Sequence, residues 1–151
     1  MIYNITYSDN LLPKYVYTFW HTENFEDINI KKIYIHNKKI IEESGYKLIF
    51  LTKNNLFSFF NKSDFPTNFN DYRIQKQSDL IRLKCLKKTG GVWLDFTNIL
   101  LENLNWITNS KSSGILFYAP AINFNNQNDC YVENWFLAFR KDSYILNKWL
   151  E

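Results

Sequence analysis

Asp79 and Arg82 stand three residues apart, and Asp95 follows them on the far side of a double glycine. On a helix, residues three apart share one face, so the first pair is brought together. A carboxylate such as Asp95 is costly to bury alone and calls for a metal, a cation or a set of N–H donors. Arg82 offers planar, bidentate donors suited to phosphate or to vicinal hydroxyls. Thr97 adds a hydroxyl just beyond Asp95, and Trp20 presents a flat ring on which a base can stack. Base stacking on such a ring is worth about 1–3 kcal/mol in nucleic-acid sites.

These residues need elements to hold them. The stretch Ser78–Thr97, SDLIRLKCLKKTGGVWLDFT, predicts a helix from about Tyr72 to Thr89, a glycine stop and a short strand. Gly90 and Gly91 supply positive φ after the last turn, and Lys87 and Lys88 suit the negative end of the helix. Val92-Trp93-Leu94 is a continuous apolar run, as expected of a strand buried on both faces of a parallel sheet. Asp95 then falls at the carboxyl end of that strand, where open α/β sheets hold their ligands.

The rest of the chain repeats the alternation. Residues 1–12 read as an irregular lead-in, Lys14–Trp20 as a first strand and 27–44 as a helix closed by Gly45. Tyr46–Leu51 reads as a strand, Asn54–Phe60 as a short aromatic helix, and 63–70 as a loop around Pro66. Beyond Asp95 the pattern gives a connection over Ile99–Trp106, a strand over Ile115–Ala119 and a polar loop over 122–130. A strand over Trp135–Phe139 and a helix over Ser143–Leu150 close the chain, and the latter either packs back fully or leaves an apolar edge for a partner or a second copy to cover. Strands alternating with helices predict a single α/β sandwich with a mainly parallel sheet.

Composition sets bounds. The 151 residues suffice for one domain with a real core, and 19% aromatic content means a core built largely from rings. The net charge of +3 comes from scattered lysines rather than a basic stripe, which argues against nucleic acid. No window approaches the ~20 apolar residues of a membrane span. The amino-terminal stretch lacks the pattern of a signal peptide, and Cys85 and Cys130 lack metal-ligand spacing. The expectation is a cytoplasmic protein with reduced thiols.

Taken in order, Leu12-Pro13-Lys14 with Trp20, then SDLIRL, GGVWLD and NWFLAFRKDSYILNKWL resemble the DXD-motif glycosyltransferases. The match is to the capsular polysaccharide synthesis protein branch, similar to glycosyltransferase family 32 and distantly to the clostridial glucosylating toxins. The resemblance implies a GT-A-like nucleotide-diphospho-sugar transferase sandwich that uses Mn2+ or Mg2+ and retains anomeric configuration. It implies a UDP- or GDP-sugar donor and a glycan or related acceptor. By resemblance, Asp95 is the first acid of the DXD motif, contacting ribose and metal, and Thr97 stands at the position of the second acid. Asp79 and Arg82 match the pair holding the donor sugar and its diphosphate side, Trp20 the ring that stacks on the nucleobase, and Asn134 an amide near the transferred sugar. Family members continue well past the position of Glu151, so the chain reads as truncated at a point before a further metal contact, a lid and much of the acceptor site.

Plainer readings compete with each residue. Asp95 could cap a turn, Asp79 and Arg82 could form an ordinary helical ion pair, and Trp20 could be core. His21 reads as a loop residue, Tyr17, Tyr118 and Trp135 as core, and Lys87 and Lys88 as a solvated helix end. Two other functions stay open: a truncated relative that binds nucleotide or sugar without turnover, and an interaction module presenting an aromatic edge.

Overall fold

The computed structural model describes residues 12–108, 114–120, 130–141 and 143–150. Nearly all of the lead-in and of the polar loop 122–130 lies outside the described residues. β1 (Tyr15–Phe19), dense in aromatic and β-branched types, leads through α1 (Ile28–Glu43) to β2 (Lys47–Leu51). The Asp27 carboxylate accepts the Asn29 N–H at 2.7 Å to start α1, and Gly45, at φ 74°, ends it. α2 (Leu56–Phe59) and two 3₁₀ turns (Lys62–Asp64 and Phe69–Asp71) then lead into α3 (Ile74–Thr89). β3 (Gly91–Leu94) follows at once, and α4 (Asn105–Thr108), β4 (Gly114–Pro120), β5 (Cys130–Phe139) and α5 (Tyr144–Trp149) complete the order.

The strands form one sheet in the order β2-β1-β3-β5-β4. β1 pairs in parallel with both β2 and β3, whereas β5 runs antiparallel to β3 and to β4. The sheet is therefore mainly parallel in strand direction, with β5 alone reversed. Side chains alternate across it. Tyr17, Trp93 and Leu137 lie in register on one face and pack with Ile81, Cys85 and Leu86 of α3. Val16, Val92 and Ala138 occupy the other face with Ile41 of α1, Leu104 and Ile107.

Several boundaries differ from expectation. α3 starts at Ile74 rather than Tyr72, because Tyr72 closes a 3₁₀ turn in extended conformation. The connection over 99–106 ends inside the single-turn helix α4. β5 begins at Cys130 instead of Trp135, since pairing with β4 draws polar residues into the ladder, with a register shift at Leu116/Phe117. Trp135 is exposed rather than core, standing one residue past the last β3–β5 pair, Leu94 with Phe136. Lys88 is not simply solvated: its ammonium donates to the Phe59 carbonyl and sits over the Phe59 and Phe60 rings. The side chain of Tyr118 lies outside the described residues, while Tyr17 and Cys85 are fully buried as expected.

Candidate active site

The site grows from the junction of α3 and β3. Gly90 (φ 71°) turns the chain where a Cβ would stand 2.6 Å from the Lys141 nitrogen and 2.9 Å from the Phe139 carbonyl oxygen. Only glycine fits that turn, and it sets β3 directly beneath α3. Asp95 falls two residues past Trp93 and so projects toward the α3 face. Its backbone N–H donates to the Trp135 carbonyl at 2.8 Å, which fixes the carboxyl end of β3 against β5.

Arg82 is the hub. It is 4% exposed and reaches both acids, donating through Nη2 to Asp95 Oδ1 at 2.7 Å and pairing through Nη1 with Asp79 Oδ1 at 3.1 Å. The Asp79 and Asp95 side chains are 52% and 30% open, so a buried cation anchors two acids that face outward. Asp79 thus lies at the mouth of the site, not among core residues, while its face-sharing with Arg82 is as the spacing required. The Trp93 indole N–H donates to Asp95 Oδ1 at 2.6 Å, and the Arg82 guanidinium lies 5.2 Å from the centre of that ring. Asn134 on β5 approaches Asp79 Oδ1 at 3.4 Å.

All six sequence-predicted residues, Trp20, Asp79, Arg82, Asp95, Thr97 and Asn134, line one cleft of about 670 Å³. The elements converge there because β1, β3 and α3 all present their site ends at the carboxyl edge of the sheet. Trp20 stands where β1 ends, its backbone N–H bound to the Leu51 carbonyl. Its ring packs on Phe96 (4.9 Å, 31°) and beside His21 (5.0 Å). Phe96 is itself held by Phe25, Tyr34 and Phe50, so Trp20 rests on a rigid aromatic bed.

Two supporting residues escaped the sequence reading. Trp93 reads as core alone from its apolar run, although its i, i+2 spacing to Asp95 on a strand puts both on one face. Asn37 is a buried amide on α1 whose Nδ2 donates to the Asn98 carbonyl at 2.6 Å and whose Oδ1 accepts the Leu100 N–H at 2.9 Å. It pins the segment that carries Thr97, and a polar residue at a core-facing helical position was the available signal.

Among the described residues no group of three or more His, Cys, Asp or Glu could hold a metal unaided. What Asp95 and Thr97 offer is smaller: a carboxylate whose side-chain hydrogen bonds among the described residues both fall on Oδ1, and an exposed hydroxyl. One guanidinium between two carboxylates leaves one negative charge in excess, which favours a cation. This donor set fits a divalent ion that takes its remaining oxygens from phosphate and water.

The fold is that of a glycosyltransferase. A solved structure described as "PaToxG Glycosyltransferase" superposes with a TM-score of 0.59 at 18% identity, covering 92% of this chain and 58% of that one. A model of the capsular polysaccharide synthesis protein family matches residues 4–151, and the chain belongs to that family. Comparison with curated protein sequences gives no match. The chain thus spans 58% of the length of the glycosyltransferase it resembles, and no helix among its described residues is long and apolar enough to cross a membrane.

Proposed function

We propose that the cleft binds a nucleotide-diphospho-sugar and that the protein transfers its sugar to a glycan or related acceptor with retention of configuration. One observation carries this reading: Asp79, Arg82 and Asp95 form a connected charge network facing the same cleft as an open tryptophan ring. A scaffold has no use for that combination. The base stacks on Trp20, the diphosphate lies toward Arg82 and Asp95, and Asp79 with Asn134 receives the sugar hydroxyls. Asp95 and Thr97 would hold a manganese or magnesium ion, which would offset the negative charge developing on the departing diphosphate.

In the step itself, the bond from the anomeric carbon to the phosphate oxygen breaks and its electron pair stays on the phosphate. The acceptor hydroxyl oxygen bonds to the same face of that carbon, and its proton passes to the departing phosphate oxygen. Arg82 supplies fixed positive charge beside the diphosphate, preorganised by its two carboxylates. No carboxylate nucleophile is required, so the paired-acid logic of glycoside hydrolysis does not apply.

The test is a thermal-shift panel of nucleotides and UDP- and GDP-sugars, with and without manganese, on the wild type, Asp95→Asn and Trp20→Ala. A ligand at 100 times its dissociation constant adds about 2.7 kcal/mol of stability. A manganese-dependent shift with one donor, weakened in both variants, supports the reading. No shift with any donor, in a protein that melts cooperatively, sinks it. Thr97 in place of a second acid favours a second reading, donor binding without efficient turnover. Donor binding with neither hydrolysis nor transfer would select that one.

A further inference from the structure

Asp79, Arg82 and Asn134 line a second cavity as well. It measures about 280 Å³, and its other walls are Leu83, Leu137 and Trp149. The main cleft falls within the ~300–1,000 Å³ typical of small-molecule sites, so the donor does not need this extra space. The smaller cavity is on the scale of one sugar ring and too small for a second nucleotide. Its lining is chemically two-sided. A carboxylate, a guanidinium and a carboxamide offer hydrogen bonds of both senses, while the tryptophan and two leucines are apolar.

A pyranose ring is two-sided in the same way, with hydroxyls around its rim and C–H groups on its faces. Trp149, on α5, keeps 42% of its surface open while its ring makes an edge contact with Phe139 (6.5 Å, 75°). It is thus an anchored ring with surface to spare. At the polar end, Arg82 commits Nη1 and Nη2 to the two acids, and Asp79, Arg82 and Asn134 line both the donor cleft and the second cavity.

We infer that this second cavity is a monosaccharide subsite for the acceptor, with Trp149 as the ring on which the sugar stacks. The inference rests on the donor reading of the main cleft. A sugar seated here lies against the same Asp79, Arg82 and Asn134 that border the donor, as a transfer partner must. It also gives Trp149 a role that the apolar edge of α5 does not otherwise suggest.

The experiment follows the five indole N–H signals of the ¹⁵N-labelled chain by NMR during titration with methyl glucoside, methyl galactoside and methyl N-acetylglucosaminide. The Trp149 signal is assigned by its loss in Trp149→Phe. We expect it to shift saturably with at least one glycoside. Trp149→Ala should bind that glycoside about tenfold more weakly and Trp149→Phe nearly normally, while the nucleotide-sugar thermal shift stays as in the wild type. If no glycoside moves the Trp149 signal, or if Trp149→Ala weakens donor binding equally, the subsite is overturned. A Trp149 response to glycoside with no nucleotide-sugar shift would remove the donor reading and overturn the acceptor role, leaving a sugar-binding site of another kind.

Discussion

The behaviour of both site acids depends on one buried guanidinium. Arg82 bridges Asp79 and Asp95 through separate nitrogens, a geometry that a planar fork allows and a point charge does not. Arg82→Lys keeps the charge but loses the fork that reaches the two acids through separate nitrogens. It should lower stability by about 1–3 kcal/mol in urea unfolding and weaken donor binding at least tenfold. Unchanged values for both would mean that the bridge contributes nothing. A second residue governs the alkaline limb of stability. Burial pushes the Tyr17 phenol up to about 12, partly opposed by its hydrogen bond to Thr89. The unfolded chain releases that proton near pH 10, before the folded chain does. Stability is therefore complete below pH 10 and falls as pH rises toward 12, by an amount on the order of 2 kcal/mol. Tyr17→Phe, measured beside the wild type by urea unfolding at each pH, should show a shallower decline above pH 10.

At the scale of elements, the turn between α3 and β3 is the joint that aims Asp95. Gly90 and Gly45 have nearly equal positive φ, 71° and 74°, yet their surroundings differ. At Gly45 the nearest atom to an added Cβ is the flexible Lys14 ammonium at 3.7 Å, whereas at Gly90 it is backbone at 2.6 Å. Gly45→Ala should cost about 1–2 kcal/mol, the ordinary left-handed penalty. Gly90→Ala adds a backbone clash and should cost at least 1 kcal/mol more by thermal or urea unfolding, with donor binding falling as β3 shifts. Equal costs at the two glycines would rule out the packed joint. This joint was legible in the sequence, since a helical period, two lysines and Gly90-Gly91 before an apolar run admit few other structures. β5 was not. Phe136–Phe139 are buried as a run, so period gives no direction, and Tyr131–Asn134 lack the apolar signature of a strand. Their place in the ladder comes from pairing with β4, a tertiary fact. Asn134 therefore reached the candidate site through family resemblance alone, whereas Asp79, Arg82 and Asp95 also stood out by type and spacing.

At the scale of the whole molecule, the cleft draws on residues from Trp20 to Asn134, carried by β1, α3, β3 and β5. The sheet and α3 thus support the site together, and a ligand seated there ties distant segments together. Metal and donor should consequently act as one ligand. On the proposed reading Asp95 and Thr97 are the two protein ligands, and the described residues hold no three-donor group, so manganese alone should bind weakly. On the same reading, the diphosphate oxygens would complete the shell. The expected result is a thermal shift near zero for manganese alone, a small one for the nucleotide-sugar alone, and a combined shift well above their sum. Coupling of this kind is reciprocal, so raising manganese must tighten donor binding by the same factor that donor tightens manganese. Isothermal titration in each order measures both factors. Hydrogen exchange should show slowed amides at the carboxyl ends of β1 and β3 and in β5 only when both ligands are present. Tight manganese binding to the free protein would contradict this account and would require protein ligands beyond Asp95 and Thr97.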